Sequence, residues 1–560
     1  MSAPDRTPPA WLPRLFLVAA LVLFGALVWR SSFLIDDAFI SFRYAKNWAA
    51  GLGPVYNPGV EPPVEGYSNF LWVALLAVGK ALGASPVGLA PALSILCALA
   101  TLGLAARCMH RELELDPWST GLATLALAAL PPFVVWATGG LETALFGLEL
   151  FGAWLLLVQA RGEGELRRGL LAGLLGLALV LTRVEGLIWI GGLVLASVVA
   201  CRDAIPLKRL GAYALVVAAG TGAHLLWRHA TYGEWVANTV HAKAGFSGAT
   251  LARGGRSLAT FALLFLWPLF VLPAPWLARE SRQRRLALSA LVVVLGTVGY
   301  NLLVGGDWMP MFRFMAPASA FLALLLGVGL ERLRTVPRLV TSGALTAFAL
   351  LPLFDVSPVP RALREALYYR DFVTGYQSEW ARLKTTHVNL ERNSWRGQAM
   401  GAIFDQGQTW VGGAIGATGY YSDVFVHDRN GLVNREIARL EAHPGGGTAG
   451  HEKRVPRIWF RKERPTFYKV FTAVKEVAPT GPSFDAVMNI LIQVLFTDPA
   501  DHALTSCSVV RFYPVGDRAP HRRYGSLIAV EHTDDPEEAF AFWSRYLDLR
   551  RAGGSAPGGQ

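Results

Sequence analysis

The chain has 560 residues and a net charge of +11; 53% of it is hydrophobic, only 17% is charged, and the mean hydropathy is +0.36. Soluble domains carry roughly 25% charged residues, so repeated apolar runs of spanning length exclude an ordinary soluble protein and predict a polytopic α-helical membrane protein. The Lys and Arg excess lies between those runs, where topology selection places it, which argues against a nucleic-acid partner.

Eleven spans are predicted, at about 12–34, 86–107, 117–137, 141–160, 169–183, 186–201, 209–228, 257–277, 286–305, 314–331 and 337–355. The first has a poor small-residue cleavage signal and reads as an uncleaved anchor. Residues 68–83 are apolar but short and interrupted by Lys80, so they predict a helix lying on the membrane surface. One alternating set of loops holds the basic clusters, among them Arg6 and Arg14, Arg107 and Arg111, Arg167 and Arg168, Arg282 to Arg285, and Arg332 to Arg338. The positive-inside rule puts that set and the N-terminus in the cytoplasm. An odd span count then places residues 357–560 outside, in an inner (cytoplasmic) membrane protein.

Residues 1–356 therefore read as a transmembrane domain whose first outside loop runs from 35 to 85. Residues 357–551 read as a soluble extracytoplasmic α/β domain, and 552–560 as a disordered tail. Strand-like runs occur at Trp410–Ile415 and Ser506–Tyr513, and Ala539–Leu549 reads as a helix. The Gly spacing of GAIGATG, Gly413–Gly419, is wrong for a dinucleotide fingerprint and predicts tight turns between strands. Three of the four cysteines (Cys97, Cys108 and Cys201) lie in or beside apolar runs and Cys507 stands alone in the polar part, with no CxxC or Cys/His cluster to suggest zinc.

The unexpected polar residues fall in the outside loops. Asp36 and Asp37 open the first, which continues through Arg43, Tyr44, Asn57, Glu65, Tyr67 and Asn69. Glu142 starts the fourth span, Arg183 and Glu185 sit in the turn between the fifth and sixth, His241 and Lys243 in the next outside loop, and Asp307 and Arg313 between the ninth and tenth. Each alone has an ordinary reading: a helix cap for Glu142, an ion pair closing a turn for Arg183 and Glu185, interfacial anchors for Asp307 and Arg313, a loop residue for His241. Together they place ionisable groups from distant parts of the chain on one membrane face. A carboxylate there suits deprotonation of a hydroxyl, and arginines suit a phosphate leaving group. That combination describes transfer of a sugar from a lipid phosphate to a hydroxyl. A transporter would instead carry charges near the midplane, and a scaffold presenting the tail would not need the acidic pair.

The ordered set DDAFISFRYAKN, VYNPG, VEGYSNFLW, GGLETALF, LTRVEG, NTVHAK and GGDWMPMFRF, with GAIGATGYYSDVFVHDRNGLVN and GHEK (Gly450–Lys453) in the tail, resembles the GT-C polyprenyl-phosphate-sugar glycosyltransferases. Within them it is most similar to the bacterial cell-wall enzymes that add terminal β-(1→2) arabinofuranose. TRVEG departs from their usual form by Val184 in place of Pro. The resemblance implies a GT-C fold, a polyprenyl-phosphoryl-arabinofuranose donor, a cell-envelope glycan acceptor on the outer face, and inverting single displacement. It implies a general-base Asp in the first outside loop, mapped to Asp36 with Asp37 as alternative or acceptor-orienting partner. Arg183, Lys243 and Arg313 are its candidates for the donor phosphate. Arg43, Tyr67, Glu142, Glu185, His241 and Asp307 would bind or orient sugar hydroxyls, and His451, Glu452 and Lys453 would bring the tail over the site. No cofactor beyond the lipid-linked donor is required. A divalent cation would find oxygen ligands in Asp36, Asp37 and Glu142. The alternative is a GT-C transferase of another sugar, mannose or aminoarabinose, or one acting on a protein or lipopolysaccharide acceptor. Nothing in the sequence demands an oligomer, and a monomer suffices.

Overall fold

A computed structural model describes residues 11–160, 162–203, 205–242, 247–370, 375–405, 407–441, 453–473, 482–515 and 525–552. Lys243, His451, Glu452 and the predicted terminal tail beyond Ala552 lie outside the described residues.

Helix covers each of the eleven predicted stretches. Among the described residues, six helices are long and apolar enough to cross a membrane: Arg14–Ser31, Pro86–Arg111, Leu207–Tyr232, Ser281–Val304, Pro310–Leu330 and Thr335–Phe354. Other apolar helices, such as Thr143–Val158 and Gly186–Ala200, are shorter. Several predicted spans are broken. The stretch 117–137 splits into Pro117–Ala129 and Pro131–Val135, because Pro131 leaves no amide to continue the hydrogen-bond ladder. The stretch 257–277 is divided at Leu266, whose φ of 57° is left-handed. Before Ser319–Leu330 the chain runs through a tight turn-like segment, Pro310–Ala318, with Met311 and Phe312 both at positive φ.

Small residues set the closest helix pair. Gly169, Gly173 and Gly176 form one face of helix Glu165–Thr182, and it lies directly on Leu207–Tyr232. A Cβ at Gly169 would come within 2.5 Å of the Arg209 carbonyl oxygen, and one at Gly173 within 2.7 Å of Val216. Without a hydrophobic force between helices in lipid, such close backbone packing provides the association. In the first loop, helices Ala38–Ala49 and Phe70–Ala81 pack together. The second buries Trp72, Val73 and Leu76 while leaving Leu75 and Val78 exposed, and Trp72 donates to the Gly140 carbonyl (3.1 Å).

The C-terminal part holds helix Glu379–Ile403 and a five-stranded mixed sheet of order β2-β1-β3-β5-β4. The strands are β1 (Thr409–Gly412), β2 (Phe425–Asp428), β3 (Phe467–Ala473), β4 (Ser508–Pro514) and β5 (Ser526–His532). β1 runs parallel to β2 and β3, whereas β5 is antiparallel to β3 and β4. One sheet face continues the apolar core of the membrane helices through Val426, Phe467, Val470 and Ala529. The other packs Val411, Tyr468, Ile528 and Val530 against Met488, Leu491 and Trp543.

Candidate functional site

The turn after the first span is fixed by Ile35 donating to the Gly139 carbonyl (3.2 Å), and helix Ala38–Ala49 begins directly beyond Asp37. Asp36 is held by the C-terminal part. Its Oδ1 accepts from Ala417 N (3.0 Å) and Asn393 Nδ2 (3.0 Å), and its Oδ2 from Gly416 N (3.1 Å). The expected turns of GAIGATG are therefore a loop plus the start of helix Gly416–Ser422, whose free amides meet a carboxylate rather than a phosphate. Only glycine permits this approach: a Cβ at Gly416 would lie 1.8 Å from the Asp36 carbonyl oxygen.

A second set of contacts locks the first loop to the same segment. Arg43 is buried, stacks on Tyr56 (4.3 Å) and donates to the carbonyls of Tyr56 (2.9 Å), Gly419 (2.8 Å) and Val424 (2.9 Å). Asn57 pairs with both backbone groups of Val426 (2.9 and 3.1 Å), Tyr56 donates to the Ile415 carbonyl (2.7 Å), and Lys46 bridges Asp423 (2.6 Å). Arg43, expected among the sugar-binding residues, clamps the two segments together, with its donors engaged by main chain and by Asn57. Tyr67 is likewise buried, its hydroxyl 3.0 Å from that of Tyr232 and its ring against Tyr44. Glu65 forms a buried ion pair with Arg228 (2.6 and 3.1 Å).

Between these parts lies a cavity of about 670 Å³. Asp36 and Asp37 line it from the first loop and Trp308 from the GGDWMPMFRF loop. Helix Glu379–Ile403 contributes Arg382, Thr386, Asn389, Arg392, Asn393 and Arg396, and the sheet and its loops contribute Trp410, Arg429, Arg454, Arg457 and Lys469. Gly413–Ile415, after β1, and Arg429, Asn430 and Leu432, after β2, reach its wall; crevices beyond the carboxyl ends of parallel strands are where α/β sheets bind ligands. None of these cavity-lining arginines, nor Lys469, was singled out in the sequence. A signal was present: Arg382, Thr386, Asn389, Asn393 and Arg396 fall at 0, 4, 7, 11 and 14, a polar stripe along one helix face.

Five expected residues meet in a neighbouring buried network. Arg183 pairs with both Glu142 and Glu185 and Tyr300 donates to Glu185 (3.0 Å), while Asn69 donates to Glu142 (2.7 Å). Arg313 pairs with Asp307 (2.8 and 3.3 Å), and both arginines lie over the Phe314 ring (5.7 and 4.8 Å). Above them Glu379 accepts from Met311 N (2.6 Å) and bridges Arg370, which docks the long helix on this loop. The carbonyl of His241 accepts from Lys453 Nζ (2.7 Å), which also reaches the Ala438 carbonyl (2.9 Å). Asp36, Asp37 and Glu142 do not come together as metal ligands. Both Glu142 oxygens are engaged by Asn69 and Arg183, and among the described residues no three His, Cys, Asp or Glu side chains gather as a metal site.

The crystal structure of ArnT from Cupriavidus metallidurans bound to undecaprenyl phosphate superimposes with a TM-score of 0.54, covering 93% of this chain and 98% of its own at 13% identity. This chain shares that fold. The apo state of the same ArnT gives 0.51, covering 92% and 97% at 14% identity. At such identities the likeness shows the fold alone. In sequence, the chain is 29% identical over 361 residues to the terminal β-(1→2)-arabinofuranosyltransferase of Mycobacterium tuberculosis. That match covers 56% of each protein, so the chain spans about half the length of this curated relative. No family model matches the chain.

Proposed function

We propose that the protein is a membrane glycosyltransferase that moves arabinofuranose from a polyprenyl-phosphate donor to a hydroxyl of a cell-envelope glycan. The reading rests on one observation above all: an acidic pair at the mouth of the first span opens onto a large cavity roofed by a cationic C-terminal part. The likeness to the arabinofuranosyltransferase supports the sugar, and the undecaprenyl phosphate bound to ArnT supports the lipid carrier. Eleven crossings, a cytoplasmic N-terminus and an extracytoplasmic domain over 357–551 in the inner membrane complete the arrangement, because lipid-linked rather than nucleotide-linked sugars serve that face.

In the reaction the acceptor oxygen attacks the anomeric carbon, its proton passes to a carboxylate of the Asp36–Asp37 pair, and polyprenyl phosphate leaves with inversion. Asp36 is the first candidate base. Its Oδ2 carries one hydrogen bond against two at Oδ1, so it keeps acceptor capacity. Asp37 is the second, lining the same cavity. Arg183 and Arg313, with Lys243, are proposed to meet the donor phosphate. For the two arginines this requires the phosphate to share guanidinium donors with Glu142, Glu185 and Asp307.

The test is transfer from synthetic polyprenyl-phosphoryl-arabinofuranose to a short arabinan in nanodiscs. Loss of a general base should lower the rate by ~10²–10⁴-fold. Asp36→Asn is expected to show that loss while keeping donor binding. Full activity in Asp36→Asn with loss in Asp37→Asn would move the base to Asp37; wild-type protein that transfers no arabinofuranose, either to that arabinan or to an anionic glycan, would sink the reading.

A further inference from the structure

The mechanism above leaves the sheet side of the cavity without a use. Arg429, directly after β2, is 2% exposed, yet only its Nε has a hydrogen bond, to the Val455 carbonyl (2.8 Å). Both Nη atoms are buried without an acceptor among the described residues, and the only carboxylate contact is Asp498 at 3.9 Å from Nη2. Lys469, on β3, lines the same wall with no carboxylate partner among the described residues; its Nζ lies 5.2 Å from the Phe471 ring centre. Arg457 beside them is engaged by Asp501 (2.8 Å). Buried guanidinium donors without acceptors are rare, because desolvating a charge is costly unless something pairs it.

The location narrows what that partner is. Arg429 and Lys469 sit on the sheet, whereas Asp36 and Asp37 come from the mouth of a span. A donor phosphate is tethered by its polyprenyl chain and enters from the span side, where Arg183 and Arg313 lie. Arg429 is also joined to the loop that holds Asp36: Arg429 N donates to the Gly412 carbonyl (3.0 Å) and Asn430 Nδ2 to that of Gly413 (2.8 Å). Trp410 adds a flat face in the same cavity, with its indole N–H buried and unpartnered among the described residues.

We propose that the acceptor is anionic, and that Arg429 and Lys469 bind its phosphate or carboxylate while its hydroxyl is presented to the Asp36–Asp37 pair. What the bound acceptor then undergoes rests on the transferase reading; the anion site itself does not. Burial and the nearby Arg457 and Arg454 push the Arg429 guanidinium down to about 9, and burial with Arg457, Arg396 and Arg429 pushes the Lys469 ammonium well below its usual range. Both shifts follow from burying cations beside one another, a setting that a bound anion would relieve.

The experiment uses full-length protein in nanodiscs, wild type and the variants Arg429→Met and Lys469→Met. Melting temperature is followed against glucose 6-phosphate, glucuronate, neutral glucose and undecaprenyl phosphate. Wild type should be stabilised by the two anionic sugars and not by glucose at the same concentration. Each variant should bind the anionic sugars at least tenfold more weakly and bind undecaprenyl phosphate as wild type does. Ligand-free Arg429→Met should melt no lower than wild type, since an uncompensated buried charge has been removed; a lower value with undiminished sugar binding would overturn the proposal. So would equal response to charged and neutral sugars. If the variants weaken undecaprenyl phosphate as much as glucose 6-phosphate, the cations serve the donor and the proposal fails. Absence of arabinofuranose transfer would defeat the transferase reading and leave these binding results standing.

Discussion

Gly416→Ala tests whether the proposed catalytic face requires the C-terminal loop to lie against Asp36. The added Cβ would sit 1.8 Å from the Asp36 carbonyl oxygen, 2.6 Å from its carbon and 2.7 Å from Oδ2. The first two are backbone atoms that cannot rotate aside, so the two segments must separate by more than an ångström to reach ordinary contact, about 3.2 Å. The Gly416 and Ala417 amides now lie 3.1 and 3.0 Å from the carboxylate and would be carried beyond bonding range. Hydrogen bonds to a charged group contribute ~1.5–3 kcal/mol each, so the pair is worth up to ~3–6 kcal/mol. If that geometry is needed in the transition state, kcat/KM falls by ~10²–10⁴ at 1.4 kcal/mol per tenfold. The assay is initial-rate transfer in nanodiscs, with Gly407→Ala, which meets open space, as the control. A folded Gly416→Ala protein working within threefold of wild type would refute the reasoning.

Two other expectations concern stability and donor binding. Burial pushes the Asp428 carboxyl up to about 6, outweighing the backbone amides of Val433 and Asn430 and the nearby Arg429. Its folded-state pKa thus exceeds the ordinary carboxylate value near 4. The folded protein binds the extra proton, so stability falls as pH rises from about 4 to 6, by up to ~3 kcal/mol. Asp428→Asn should flatten that part of the melting-temperature profile, and an unchanged slope would remove Asp428 as its source. Arg313→Ala should destabilise by ~3–5 kcal/mol because it strands the buried Asp307, and adding Asp307→Asn should restore most of the melting temperature. Donor affinity that returns with the double variant would show that Arg313 supports the loop rather than the phosphate.

The helical stretches were legible because lipid admits few alternatives: every backbone polar group must be satisfied within the segment, and that requirement writes long apolar runs. The breaks at Pro131, Leu266 and Met311–Phe312 were not, since a short interruption costs little apolar content. Convergence of loop charges was also legible, in that Glu142, Arg183, Glu185, Asp307 and Arg313 do meet. Their pairing was not legible, because it depends on distances a sequence does not contain. Helix Glu379–Ile403 shows the converse failure: its stripe from Arg382 to Arg396 reads as a solvated face until the sheet closes over it.

Pairing changes where an anion is drawn. In the network beside the cavity, three carboxylates (Glu142, Glu185, Asp307) face two guanidiniums (Arg183, Arg313), so its formal charge is −1. In the cavity, seven basic side chains (Arg382, Arg392, Arg396, Arg429, Arg454, Arg457, Lys469) face the two lining carboxylates, Asp36 and Asp37, a formal +5. Asp501 on Arg457 and Asp498 near Arg429 lower that figure without reversing it. A low-dielectric wall concentrates such a field, so the cavity attracts anions more strongly than the network that sequence motifs single out. The cations that would draw an anionic acceptor inward line the same cavity as Asp36 and Asp37, so on the function proposed above acceptor recognition and base catalysis share one chamber.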